Sequence, residues 1–272
     1  MTLQSPATPD QVLAATSRTF MLPIRELPSG LREAVTAAYL CLRAIDEIED
    51  HEALLMCDKA ALLQRVGELL GLDSGLPAAE LGVLFAGHAA DLDEVTLRLH
   101  EWVALAPPGV APRVCAATAE MAARMREWSL AGWQVHTEAD LDRYTFDVAG
   151  AVGVLLSEIW LWYDGTTTSR DDAIGLGRGL QAVNILRNRA DDLGRGVDFF
   201  PDGWRSCDVH GYARSNLALG ERYVEGLRRG PIRVFCQLPL ALATATLDAL
   251  LRGEVKLTRT AVLRIVRDVR AS

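Results

Sequence analysis

Two acidic clusters about 140 residues apart hold the side chains best suited to chemistry. The first reads Arg43-Ala44-Ile45-Asp46-Glu47-Ile48-Glu49-Asp50. The second reads Asn184-Ile185-Leu186-Arg187-Asn188-Arg189-Ala190-Asp191-Asp192. Oxygen-bearing side chains recur four residues apart in each: Asp46 with Asp50, and Asn188 with Asp192. In a helix that spacing puts both on one face, roughly 6 Å apart along the axis. Like charges so placed weaken an isolated helix, so local stability does not explain them. Two such helices face to face would offer oxygen ligands to hard cations. Mg²⁺ keeps part of its water shell and bridges a few carboxylates to substrate phosphates. The spacing points to a Mg²⁺–diphosphate site inside a helical bundle.

The elements that would position these residues read as helix after helix. Thr8-Pro9-Asp10-Gln11 is a capping box with Pro at the first helical position. Ser29 predicts the start of a helix running to about His51, and Asp58 one over Lys59 to Leu70, stopped by Gly71. Helical pattern covers 78–103, breaks at Pro107-Pro108-Gly109, and resumes from Pro112 to Gln134. Thr137 to Asp140 opens a long apolar helix through Tyr163. Ser169 to Asp172 opens the helix that carries the second cluster, which ends near Gly194-Arg195-Gly196. Helices over about 208–229, 232–252 and 257–269 complete the chain. Without β alternation, repeats or linkers, the expectation is an all-α fold, one domain spanning 1–272 with a central cavity.

Composition agrees. The chain has 272 residues, half of them apolar, and a net charge of −8. That charge argues against nucleic acid as a partner. An acidic protein that binds an anionic substrate must gather cations locally, as metal ions or a few arginines. The five cysteines are scattered without metal-ligand spacing, which suits reduced thiols and a cytoplasmic location. No signal peptide is expected, and the run Leu238–Leu251 is expected to be too short to span a bilayer.

Several segments resemble the squalene/phytoene synthase family, in the family's order. Ser17-Arg18-Thr19-Phe20 is similar to its SRSF segment. Tyr39-Leu40-Cys41-Leu42-Arg43-Ala44-Ile45-Asp46 leads into the first acidic motif. Tyr144-Thr145-Phe146-Asp147-Val148-Ala149-Gly150-Ala151-Val152-Gly153 resembles the YxxxVAGxVG helix. Gln181-Ala182-Val183-Asn184-Ile185-Leu186-Arg187 precedes the second motif. Phe235-Cys236-Gln237-Leu238-Pro239 with Ala243-Thr244-Ala245-Thr246-Leu247 resembles the squalene branch more than the phytoene branch.

The resemblance implies a prenyltransferase that joins two isoprenyl diphosphates head to head. On the squalene branch these are two farnesyl diphosphates, condensed through presqualene diphosphate to squalene with hydride from NADPH. It implies Mg²⁺ ligands at Asp46, Asp50, Asn184, Asn188 and Asp192, and Tyr144 acting at the first condensation. Ser17, Arg18, Phe20, Arg32, Arg43, Gln181 and Arg187 would bind substrate, the arginines through planar multi-donor guanidinium groups. Val255-Lys256-Leu257-Thr258 is similar to a VKIR segment tied to NADPH, which marks Lys256 and Arg259 for the cofactor. An oily product would favour peripheral contact with a membrane, on its cytoplasmic face. The alternatives are a dehydrosqualene or phytoene synthase without reductant, a diphosphate-releasing hydrolase or cyclase, and a non-catalytic isoprenoid-binding subunit. Substrate chain length and oligomeric state stay open.

Two positions depart from the family pattern. Asn188 stands where the second motif opens with Asp, which removes one negative charge. Gly196-Val197-Asp198-Phe199-Phe200-Pro201 lacks an expected Arg, although Arg195 is adjacent. Other features read as structural. Gly175, Gly177 and Gly179 follow no strand, so they suit close helix packing rather than a phosphate loop. Asp91, Asp93 and Glu94 read as surface, the Trp residues near 128–162 as core, and Arg189 as a solvated side chain. No histidine shows ligand spacing.

Overall fold

Capping chemistry sets many of the helix starts in the computed structural model, which describes residues 7–17, 19–71 and 78–271. The described residues are helical or looped, with no strand among them. Thr8 caps α1 (Pro9–Thr16) by accepting from the Gln11 N–H, and Gln11 returns the bond to the Thr8 N–H at 2.7 Å. After α2 (Met21–Arg25), α3 runs from Leu31 to Asp50. Its start falls one residue later than expected. Gly30 is the cap, at φ +84°, and its N–H donates to Glu33. Ser29 lies outside the helix, with its hydroxyl 3.5 Å from Glu33.

The chain divides into two compact units, residues 1–130 and 131–272. In the first, α3 is the hub. It packs against α1, α2, α4 (Met56–Leu70), α6 (Glu94–Leu97) and α7 (Leu99–Leu105). Its buried side, from Leu31 through Ala34, Val35, Leu40 and Ile45 to Ile48, is apolar and nearly inaccessible. The stretch expected as one helix over 78–103 is three pieces, α5 (Ala78–Ala86), α6 and α7. The break is fixed by Glu47. Its buried carboxylate accepts from the Thr96 hydroxyl and from the Asp93 N–H, which draws the Asp93 turn onto α3. Asp91, Asp93 and Glu94 are exposed, as expected of surface groups. The last helix of this unit, α8, covers Ala111–Ala131 and starts just beyond Pro107-Pro108-Gly109.

In the second unit the hub is α11 (Arg170–Gly194). It packs against α9 (Glu138–Thr145), α12 (Ser206–Gly226), α13 (Pro231–Leu251) and a helical layer formed by a π-turn (Phe146–Gly150) and α10 (Ala151–Asp164). Glycine permits this packing. A Cβ on Gly177 would collide with the carbonyl of Ala149, one on Gly153 with that of Ala173, and one on Gly175 with the side chain of Leu219. Gly177 of α11 and Gly153 of α10 therefore serve backbone approach, and Gly175 makes room for Leu219. The π-turn interrupts what the sequence presents as one continuous helix from Thr137 to Tyr163. It lies where Gly177 meets Ala149 and Gly150, and begins two residues after Tyr144. Trp102, Trp128 and Trp160 are core residues, and Trp160 donates to the Tyr223 hydroxyl at 3.0 Å.

One finding revises an expectation. The run Leu238–Leu251 belongs to α13, whose 21 residues begin at Pro231. By length and composition alone, α13 and the stretch Glu138–Asp164 could each cross a membrane. Half of the α13 window and a third of the other are buried within the protein. All five cysteines are free.

Candidate active site

The first acidic motif lies on α3. Tyr39, Arg43, Asp46 and Asp50 follow one another at spacings of four, three and four, so they form one stripe along the helix. The Arg43 guanidinium lies 3.8 Å from Asp46. The Asp46 side chain keeps 31% of its surface accessible. Even so, burial pushes its carboxyl up to about 7, with Arg43 pulling the other way and Asp50 adding to the rise. Burial therefore makes the ionised form of Asp46 costly, the condition that favours a bound cation. Arg43 offers the converse. Its Nε is buried without a hydrogen-bond partner among the described residues, a donor available to an anion.

The segment before α2 is organised around Ser17. This buried side chain accepts from the Phe20 N–H at 2.9 Å and so turns the chain between α1 and α2. The Phe20 ring lies 6.1 Å from that of Tyr39, whose hydroxyl donates to the Thr16 carbonyl at 3.0 Å. Ser17 and Phe20 thus adjoin the upper end of the Tyr39–Asp50 stripe. Arg18 lies outside the described residues. Arg32 occupies the first turn of α3, 3.7 Å from Glu33. At eleven residues before Arg43 it is roughly 16 Å up the axis and not beside Asp46.

The second motif lies on α11. Gln181, Asn184, Asn188 and Asp192 share one face, and the Asn184 amide donates to Gln181 at 3.4 Å. Arg187 is exposed, with its Nε 3.1 Å from the Asn188 carbonyl oxygen. Asp192 is buried at 6% accessibility and paired with Arg195 at 2.6 Å. Arg189 is not simply solvated. It makes a two-point pair with Asp198, at 3.2 and 2.8 Å, and its guanidinium covers the Phe200 ring at 3.7 Å. Burial raises the Asp198 carboxyl, but the bond from Arg189 and the Phe200 N–H outweigh it and hold the group below the usual carboxylate range.

Tyr144, at the end of α9, is buried and stacked on Phe199, with ring centroids 4.3 Å apart and planes 12° from parallel. A polar network that no motif announced begins two residues before it. The Tyr212 hydroxyl lies 2.8 Å from Asp142 and 2.9 Å from Thr145, and Arg178 is 3.5 Å from Asp142. Burial pushes the Tyr212 phenol far above its usual range. Asp142, Tyr212 and Asn216 line an open cleft of about 750 Å³ with Glu138 and Trp204. The sequence signal was faint: one Asp and one Thr on α9 and one Tyr on α12. Lys256, in the loop after α13, and Arg259, which opens α14 (Arg259–Ala271), are both exposed.

The donor set suits Mg²⁺ in the manner its chemistry requires. Among the described residues no three His, Cys, Asp or Glu side chains cluster closely enough to hold a metal by themselves. Mg²⁺ is ordinarily bound through one or two carboxylates, waters and substrate phosphates. Asp46 with Asp50, and Asp192 with the carbonyl oxygens of Asn184 and Asn188, supply only hard oxygen donors.

Comparison with known proteins gives this geometry its family. A squalene synthase from Schizosaccharomyces pombe is 29% identical over 89% of this chain and 59% of its own length. One from Eremothecium gossypii is 30% identical over 93% of this chain and 63% of its own. A human squalene synthase is 26% identical over 94% and 67%. The chain thus spans about 60% of the first two relatives. Among solved structures, a ligand complex of TcSQS superposes with a TM-score of 0.76 at 24% identity, over 95% of this chain and 84% of that one. A dehydrosqualene synthase complex superposes at 0.60 with 18% identity, over 97% and 94%. Both share the all-α fold. The squalene/phytoene synthase model matches residues 13–210, a stretch that contains both acidic motifs and Tyr144. The chain belongs to the squalene/phytoene synthase family.

Proposed function

We propose that this protein is a prenyltransferase that condenses two farnesyl diphosphates head to head, through presqualene diphosphate, to squalene. The observation that carries the reading is the family match over residues 13–210, which takes in every oxygen ligand assigned above. Asp46, Asp50, Asn184, Asn188 and Asp192 would hold Mg²⁺, which supplies positive charge for the departing diphosphate. Arg43 and Arg187 would bind phosphate oxygens, a role that Arg18 and Arg32 take from the resemblance alone. The orphaned Nε of Arg43 supports that role most directly.

In the first half-reaction the C1–O bond of one substrate breaks and its electron pair leaves with diphosphate. The double bond of the second substrate attacks the allylic cation, and a proton is lost as the cyclopropane closes. Tyr144, which is buried against Phe199, would orient that proton's path in this reading. A neutral phenol is a weak base, so the released diphosphate takes the proton. In the second half-reaction diphosphate leaves again, the skeleton rearranges, and the final cation accepts hydride. NADPH supplies that hydride in this reading, with Lys256 and Arg259 as its basic contacts. Both lie beyond residue 210, so they rest on the resemblance of the Val255-Lys256-Leu257-Thr258 segment alone.

The test is product analysis. Purified protein given farnesyl diphosphate and Mg²⁺ yields squalene with NADPH. Without NADPH it yields presqualene diphosphate or a C30 alcohol. Lys256→Ala raises the NADPH requirement. Dehydrosqualene under both conditions would move the protein to the carotenoid branch, and farnesol alone would leave only a hydrolase.

We place the protein in the cytoplasm with peripheral membrane contact. What supports contact is that Leu251, Val255 and Leu263 are well exposed and that α14 carries Arg259, Arg264, Arg267 and Arg270, the apolar and basic groups an interfacial surface combines. Co-sedimentation with anionic vesicles that failed to exceed that with neutral ones would remove this placement.

A further inference from the structure

We infer that Arg195 is a resident counter-ion for Asp192, displaced when a divalent cation arrives and then turned to the diphosphate. This rests on the metal role proposed for Asp192. Three features make an uncompensated charge at Asp192 costly. The side chain is 9% accessible. It occupies the last turn of a 25-residue helix, where the backbone carbonyls present a partial negative charge. Asp191 is its neighbour, and no basic residue lies in that last turn. A buried carboxylate in such a place needs a cation. Arg195 supplies it from the cap position, Nη2 to Oδ1 at 2.6 Å, while its own side chain remains 44% accessible.

The cap geometry fixes the pair in place. The Arg195 N–H donates to the carbonyls of Asp191 and Asp192 at 3.2 and 3.0 Å, and the Val197 N–H to that of Asp192 at 3.0 Å. The backbone of Arg195 is therefore held while its guanidinium reaches solvent. A side chain anchored this way can leave the carboxylate without moving the helix end. A divalent ion on Asp192 brings twice the charge that Arg195 brings, and two cations on one carboxylate repel. The metal replaces the guanidinium, and the released fork of donors suits a phosphate. In the first motif the matching pair, Arg43 with Asp46, is looser at 3.8 Å.

The signature is an opposite sign for metal and for anion. Manganese binding to the substrate-free protein is followed by paramagnetic resonance, and binding of inorganic diphosphate with Mg²⁺ present by calorimetry. Arg195→Gln should tighten manganese about tenfold and weaken diphosphate about tenfold, the scale of one partly buried ion pair. It should also lower the metal-free thermal midpoint, with Mg²⁺ restoring part of the loss. Arg195→Lys should fall between wild type and Arg195→Gln for manganese. Unchanged or weaker manganese binding in Arg195→Gln, while Asp192→Asn still loses metal, would reduce the pair to a structural one and end the proposal. Undiminished manganese binding in Asp192→Asn would remove the metal role of Asp192 and the inference together.

Discussion

At the residue scale the proposed chemistry rests on the oxygens of Asp46, Asp50, Asn184, Asn188 and Asp192, and burial makes Asp46 hard to ionise without a cation. Asp46→Ala and Asp192→Ala should each cut turnover by at least about a hundredfold, since metal stabilisation of a leaving group supplies several kcal/mol. Far-ultraviolet circular dichroism should stay unchanged, and near-normal turnover in both would remove the metal-site assignment. Asn188→Asp should lower the Mg²⁺ concentration for half-maximal activity, because one anionic ligand joins a hard cation. A magnesium titration of both forms decides this, and an equal or higher requirement would mean that Asn188 does not face the metal. Asp46 also makes stability depend on pH. Its carboxyl rises from 3.8 to about 7 on folding, so the folded chain holds an extra proton between those values. Stability of the Mg²⁺-free protein therefore falls as pH rises from about 4 to about 7, then levels. Asp46→Asn should relieve this, stabilising the metal-free protein at pH 8 by about 1–2 kcal/mol after discount for a side chain 31% accessible, and less towards pH 4.5. Thermal melts at the two pH values test the sign.

At the scale of elements, the second unit is built on close backbone approach. Gly177→Ala would drive a methyl group into the Ala149 carbonyl, which backbone on both sides holds fixed. We expect a loss of about 2–3 kcal/mol, as for an overpacked core. Gly211→Ala is the contrast. That glycine is exposed in the middle of α12 with open space around its Cα. Alanine there should stabilise by about 0.5–1 kcal/mol through helix propensity. Denaturant midpoints of the two variants should move in opposite directions, and similar destabilisation by both would contradict the packing account. The π-turn belongs to the same economy of space. It lies against Gly177 and begins two residues after Tyr144, where a wider helical turn shifts the side chains that follow.

At the scale of the molecule, both hubs are the helices that carry the acidic motifs. α3 and α11 are each surrounded by the other helices of their own unit. A long helix clamped in this way can carry like charges at four-residue spacing that an isolated helix would not tolerate. Removing Mg²⁺ with a chelator should consequently leave the fold intact and abolish turnover, which circular dichroism and a product assay on one sample can show. Unfolding on chelation would make the metal structural instead.

What the sequence settled by itself was periodic or local. The 3.6-residue pattern placed nearly every helix, and Thr8, Thr137 and Ser169 marked starts because capping is a bond between neighbours. The spacing of Asp46, Asp50, Asn188 and Asp192, with the ordered segments from Ser17 to Leu247, was enough to name the family. Tertiary structure decided whatever depends on partners distant in the chain. Glu47 lies inside the acidic motif but anchors Thr96. Arg189, which reads as solvated, pairs with Asp198 under Phe200. The Asp142–Thr145–Tyr212 network joins separate helices, and the π-turn answers a glycine 27 residues further on. Burial and approach are sums over many residues, and no single spacing in the chain encodes them.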